Sequence, residues 1–254
     1  MARQTRSIRC ATCRSHRGAW PTPECRCSGY LIDEAAFRLL VEPGYATVPQ
    51  LLKDVAAAEV DAVLISHGHA DHCADLNPLL RARHLSEDPP PALPVFALSG
   101  AADAVLALDG QMLAADYALQ DFDPGDRFTV GPFQVTTRAL RHFVPNVGLR
   151  FDLGNLSVAY TGDGGADPQV VDFAAGASLL LAEATFAEGV PEHSVGNLAT
   201  ARQAGEYAAA ARVGQLVLTH LWPDMHPDAA ARAARRGYDG PLSLALPGLT
   251  IDVR

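Results

Sequence analysis

The stretch D-A-V-L-I-S-H-G-H-A-D-H, Asp61 to His72, decides how the rest of the chain is read. Ala62, Val63, Leu64 and Ile65 form an unbroken apolar run, the pattern of a strand covered on both faces. The run ends at Ser66, and His67, His69, Asp71 and His72 then crowd into six positions. His67 and His69 lie two apart, so in extended or looped backbone their imidazoles can point the same way. Asp71 is placed to cap a helix expected over Ala74 to Arg83. Neutral imidazoles and a carboxylate are the donors that a borderline cation such as zinc takes. A His-rich surface turn is the bland alternative, and four such groups in so short a window argue against it.

Outward from this nucleus the chain alternates between elements. Tyr30 to Ile32 and Phe37 to Val41 read as a hairpin that stops at Pro43-Gly44, and Val48 to Ala58 has helical spacing. Strands are expected at Val95 to Leu98 and through Tyr117 to Leu140. A further hairpin is expected at Leu149 to Leu153 and Leu156 to Tyr160, around Gly154-Asn155. From Pro168 the order is helix (Gln169 to Ala175), strand (Leu179 to Ala182), helix (Leu198 to Ala211) and strand (Leu216 to Thr219). A helix over Asp228 to Arg235 and strands at Leu242 to Leu246 and Leu249 to Val253 follow. This order fits an α/β (α+β) fold in four layers, an αββα sandwich of two mixed β-sheets with outer helices. Residues 28–254 read as one domain. Residues 1–27 read as an irregular cysteine-containing segment, with Cys10, Cys13, Cys25 and Cys27 as free thiols rather than a zinc knuckle.

Bulk properties narrow the function. The 254 residues carry a net charge of −9, which argues against a broad basic surface for nucleic acid. No apolar run is long enough to span a membrane and the basic start has no apolar core behind it, so no membrane partner and a cytoplasmic location are expected.

Further ionisable residues sit where expected strands end: His142 in A-L-R-H-F-V-P, Asp163 in T-G-D-G-G, Glu183 in L-A-E-A-T-F, and His220 in L-V-L-T-H-L. His193 lies in P-E-H-S-V-G-N, a stretch that reads as a loop over a mouth. Each is weak alone, since a strand-end histidine is more often an ordinary polar residue than a ligand. His226 reads as a helix-start residue, Cys73 as a small buried one, and His16 and His84 are given no role.

Together the motifs resemble a known family. S-H-G-H-A-D-H is similar to the H-x-H-x-D-H signature of the metallo-β-lactamase fold superfamily. H-x-x-P, T-G-D, E-A-T-F, H-S and L-T-H follow in the order of its ribonuclease Z-like and cyclic-nucleotide phosphodiesterase-like branch. The resemblance implies a metal-dependent hydrolase with two divalent ions, zinc first, with manganese or iron as alternatives. One ion would be held by His67, His69 and His142. The other would be held by Asp71, His72 and His220, with Asp163 bridging. A hydroxide between the ions would be the nucleophile. His193 would then donate to the leaving oxygen, and Glu183 would orient His193 and keep it protonated. It also implies a homodimer and a phosphodiester substrate. No basic arm for tRNA is visible, so a small phosphodiester, cyclic nucleotides foremost, is expected ahead of RNA 3′ ends. Two departures stand out: Met1 to Arg17 does not alternate like the family's first strand, and Glu42 stands where an aspartate is usual.

Overall fold

A computed structural model describes residues 6–10, 27–222, 224–246 and 249–253. The first strands are β1 (Arg6–Cys10), β2 (Tyr30–Glu34), β3 (Phe37–Val41), β4 (Ala62–Ile65), β5 (Leu93–Leu98) and β6 (Tyr117–Phe122). There follow β7 (Arg127–Val130), β8 (Phe133–Ala139), β9 (Val147–Leu153), β10 (Leu156–Tyr160), β11 (Leu179–Glu183), β12 (Leu216–Thr219) and β13 (Leu242–Leu244). The last, β14 (Thr250–Asp252), returns to the first sheet. One sheet has the order β14-β1-β2-β3-β4-β5-β6 and the other β13-β12-β11-β10-β9-β8-β7. Both are mixed, as the order of elements predicts. In the first, β3 to β6 are parallel while β1, β2 and β14 join antiparallel. In the second, β10 to β13 are parallel and β7 to β10 antiparallel.

The apolar run of β4 explains why this strand is central. Ala62 and Leu64 face the core between the sheets with Leu149, Phe151, Leu181 and Val217. Val63 and Ile65 face the other way, under α3 (Leu76–His84), with Leu76, Leu79 and Leu80. On the far side, α6 (Ala201–Ala210) and α7 (Pro227–Ala234) cover the second sheet with a face built of alanines, among them Ala201, Ala204, Ala208, Ala230 and Ala233. Small side chains let these helices approach so closely that a Cβ on Gly205 would lie 2.2 Å from the Ala234 carbonyl oxygen.

Several expected boundaries move. The helix expected over Val48 to Ala58 is only α1 (Val48–Leu51) plus a 3-10 turn at Ala57–Glu59. The helix expected over Ala74 to Arg83 is two pieces, α2 (Ala70–Cys73) and α3, broken because Asp75 turns its carboxylate to the Val48 amide (2.9 Å) instead of continuing the helix. Asp71 does not cap: it lies inside the first turn of α2, which starts after His69. The expectation of irregular chain through residue 27 is corrected at Arg6–Cys10, which forms β1 between β2 and β14, with Ile8 opposite Ile32 and Ile251. Backbone pairing on both sides sets this strand, so five residues with no long alternation suffice. The readings of Cys13, Cys25 and the stretch 11–26 fall outside the described residues. The helices α4 (Asp103–Leu106) and α5 (Gln169–Phe173) complete the outer layers.

Candidate metal centre

β4, β8, β10, β11 and β12 all run the same way within their sheets, and their carboxyl ends gather along one edge of the sandwich. His67, His142, Asp163, Glu183 and His220 stand at those ends. An isolated bridge between His67 and Asn146 links the two sheets there, and Asn146 Nδ2 donates to the Asp163 carbonyl (3.2 Å).

The side chains converge into three groups with donor atoms within 4.8 Å of one another: His67, His69, His142 and Asp163; Asp71, His72, Asp163 and His220; and, behind the rings, Glu42 with His67 and His72. Asp163 belongs to the first two. Its Oδ2 lies 3.1 Å from Nε2 of His72 and of His220, 3.7 Å from Nε2 of His67 and 3.9 Å from Nε2 of His142. Asp71 Oδ2 sits 3.5 Å from His72 Nε2 and 3.4 Å from His220 Nε2.

What lies behind the rings decides which nitrogen faces inward. His67 Nδ1 meets Ser66 Oγ (2.9 Å), and that hydroxyl donates to Glu42 Oε2 (3.1 Å). His72 Nδ1 is held by the same Glu42 oxygen (2.5 Å), while Glu42 Oε1 accepts from the Ser66 amide (2.6 Å). His142 Nδ1 donates to the Asn197 carbonyl (2.8 Å). His220 Nδ1 meets Thr185 Oγ1 (2.9 Å). In each ring the partner at Nδ1 leaves Nε2 for the centre, the arrangement that outer hydrogen bonds impose on metal-binding imidazoles.

Whether these residues suit a cation is answered by their own unmet needs. His67 Nε2 and Asp163 Oδ1 are buried without a hydrogen-bond partner, although buried polar atoms are rarely left so. His142 Nε2 and His69 Nδ1 face each other at 3.1 Å. Burial, with His72 charged nearby, pushes His67 well below the ordinary histidine range, and burial lowers His142 too. Burial works against charging His72 and His220, yet Asp163 and Asp71 hold His72 well above its usual range and lift His220 to about 9. Burial would likewise raise Asp163, but charged His220 and His72 hold it well below the carboxylate range. Protons on His72 and His220 balance the aspartates where cations would. The donor set fits divalent metal.

Two expectations for the outer residues differ. Glu183 does not reach His193. Its Oε1 accepts from the Thr185 hydroxyl (2.5 Å) and the Ala199 amide (3.2 Å), because residues 183 and 185 share one side of the extended chain. Burial, then the charge of Asp163, raises Glu183 to about 8. His193 stands exposed on the 3-10 turn Glu192–Ser194, and among the described residues no hydrogen bond joins it to Glu183. Ser66, Thr185 and Asn197 escaped the sequence analysis; the two-residue spacing of Glu183 and Thr185 and the adjacency of Ser66 to His67 were their only signals. His226 starts α7 as expected, its side chain accepting from the Asp228 amide, and Cys73 is small and buried. His84 pairs with Asp116 (2.9 Å).

With this geometry in place, comparison with known proteins gives the family. The Beta-lactamase superfamily domain matches residues 14–221. The chain belongs to that superfamily. It is 30% identical over 234 residues to the probable metallo-hydrolase YhfI of Bacillus subtilis (strain 168), covering 91% of this chain and 94% of that one. The crystal structure of YhfI, a metallo-β-lactamase fold protein, superposes with a TM-score of 0.87 at 28% identity, covering 97% of this chain and 99% of the other. A ribonuclease Z of Methanopyrus kandleri is 28% identical over 276 residues, covering 93% of this chain and 95% of its own length. The chain is thus a metal-dependent hydrolase of the metallo-β-lactamase fold, with a His/Asp cluster able to bind metal. Among the described residues no helix is long and apolar enough to cross a membrane.

Proposed function

We propose that the chain is a binuclear metal-dependent phosphodiesterase acting on small phosphodiesters, with cyclic nucleotides the first candidates. The observation that carries this is the sharing of Asp163 between the two donor groups, with one oxygen approached by four imidazoles. His67, His69 and His142 would hold one divalent ion and Asp71, His72 and His220 the second. Zinc suits this donor set, and manganese or iron would also be accepted. Bound there, such ions would acidify a water and neutralise charge on phosphoryl oxygens.

The chain's own residues do the rest. His193, exposed on the turn Glu192–Ser194 that leads to Asn197, would give the leaving oxygen its proton. Glu183 acts elsewhere, beneath His220. Phe143 packs against His142 with ring centroids 5.3 Å apart yet is 52% exposed, which leaves an aromatic surface beside the centre for a base to stack on. The ribonuclease Z alignment, at 276 positions, exceeds the 254 residues of this chain, so that relative carries insertions absent here. This favours a small substrate over tRNA.

The test is hydrolysis of 3′,5′-cyclic AMP by zinc-loaded protein, beside an unprocessed tRNA and an aryl phosphodiester, with His67→Ala as the blank. Opening of the cyclic nucleotide that depends on His67 is expected. Cleavage of tRNA alone would replace this reading with that of a ribonuclease.

A further inference from the structure

Of the imidazoles around Asp163, His220 is the one whose backbone is strained. It follows β12 with φ 55°, in the left-handed region that a non-glycine residue enters at a cost. A residue held there needs contacts that over-determine it. The ring is nearly buried and its Nδ1 finds one near partner, Thr185 Oγ1 at 2.9 Å.

The hydroxyl is itself directed. Thr185 Oγ1 lies 2.5 Å from Glu183 Oε1, which also accepts from the Ala199 amide at 3.2 Å. The Thr185 hydroxyl donates to Oε1. A hydroxyl that donates to Glu183 has only lone pairs left for the imidazole. Nδ1 of His220 must then carry hydrogen, which turns the Nε2 lone pair toward Asp71 and Asp163.

We propose that Thr185 is a positioning residue: its hydroxyl, oriented by Glu183, fixes the ring angle and tautomer of His220 so that Nε2 is presented to the group formed with Asp71, His72 and Asp163. This rests on reading that group as a metal site, but not on the identity of the substrate. Glu183, expected from the family resemblance to serve His193, serves the opposite wall instead.

Zinc affinity, measured by chelator competition, and the zinc count per chain test this in wild type, Thr185→Val, Thr185→Ser and Glu183→Leu. Thr185→Val should weaken one of the two ions by about 10–100-fold, as loss of an outer partner does, and leave the other unmoved. Thr185→Ser should restore wild-type affinity; a role in packing alone would not be rescued by the smaller side chain. Nitrogen-15 NMR of the zinc-loaded protein should show hydrogen on His220 Nδ1. Unchanged affinity for both ions in Thr185→Val, or hydrogen on Nε2 in wild type, overturns the proposal. Should Thr185→Val fail to fold, Glu183→Leu, which removes the acceptor, is decisive: weakened binding of one ion there supports the relay, and wild-type affinity for both ions defeats it. If no phosphodiester is hydrolysed while these binding changes appear, the function proposed above falls and this assignment stands.

Discussion

The two sheets bring their donors to the centre by opposite routes. The first supplies His67, His69 and His72, with Asp71, from one window after β4. The second supplies His142, Asp163 and His220 from three separate strand ends. Their supports differ in the same sense. A single carboxylate, Glu42, serves His72 directly and His67 through Ser66. On the second sheet each histidine has its own support, the Asn197 carbonyl for His142 and Thr185 with Glu183 for His220. His67 and His72 belong to different halves, so the first sheet couples them through the shared support Glu42, whereas the second couples them through the shared donor Asp163 and supports its two histidines separately.

Substitutions can break this contrast. Asp163→Ala removes the group common to both halves, and the expected loss is largest there: about 1,000-fold or more in turnover, corresponding to about 4 kcal/mol, with at least one ion gone. Full occupancy of both positions, measured by elemental analysis, would mean that the halves do not share Asp163. Glu42→Gln should weaken both ions together by about 10–100-fold, unlike any single change at Thr185. Loss of only one ion would show that the Ser66 link carries nothing.

A third expectation concerns the metal-free protein. His220 is lifted from 6.5 to about 9 by Asp163 and Asp71 against its burial, so it favours the fold below pH 6.5 and loses that contribution as pH rises through about 9. Glu183 is raised from 4.5 to about 8 by burial, so its ionisation also costs stability as pH rises over that span. Chelated protein should therefore melt at progressively lower temperature from pH 6.5 to 9, whereas zinc-loaded protein should change little. Equal slopes in thermal scans of the two forms would count against the protons standing in for cations. The smallest effect on the centre is expected from His193→Ala, which should slow turnover by about 100-fold while leaving both ions bound; loss of metal would place His193 among the ligands.

The contrast also explains what the sequence disclosed. A run such as Asp61 to His72 is legible because strand, turn and donors are contiguous. His142, Asp163 and His220 are legible only as a set, since no local spacing says that three distant strand ends meet, and it took the family's motif order to join them. Side-chain direction was harder still. Glu183 and His193 are near in sequence, yet the alternation of an extended chain sends Glu183 inward with Thr185 while the turn at Glu192–Ser194 leaves His193 in solvent. β1 was missed because its partners, rather than its own pattern, define it. The helix expected over Ala74 to Arg83 is interrupted at Asp75, whose carboxylate accepts from the Val48 amide.

The pairing of β1 with β14 sets an order of assembly during synthesis. Ile8 is opposite Ile251, so β1 has one of its two neighbours only after residue 251 has been made. Every donor of the candidate centre, ending with His220, emerges before β14 does. The centre can close and take up metal while one rim of the first sheet is still open, and completing that rim is left as the slow, long-range last step.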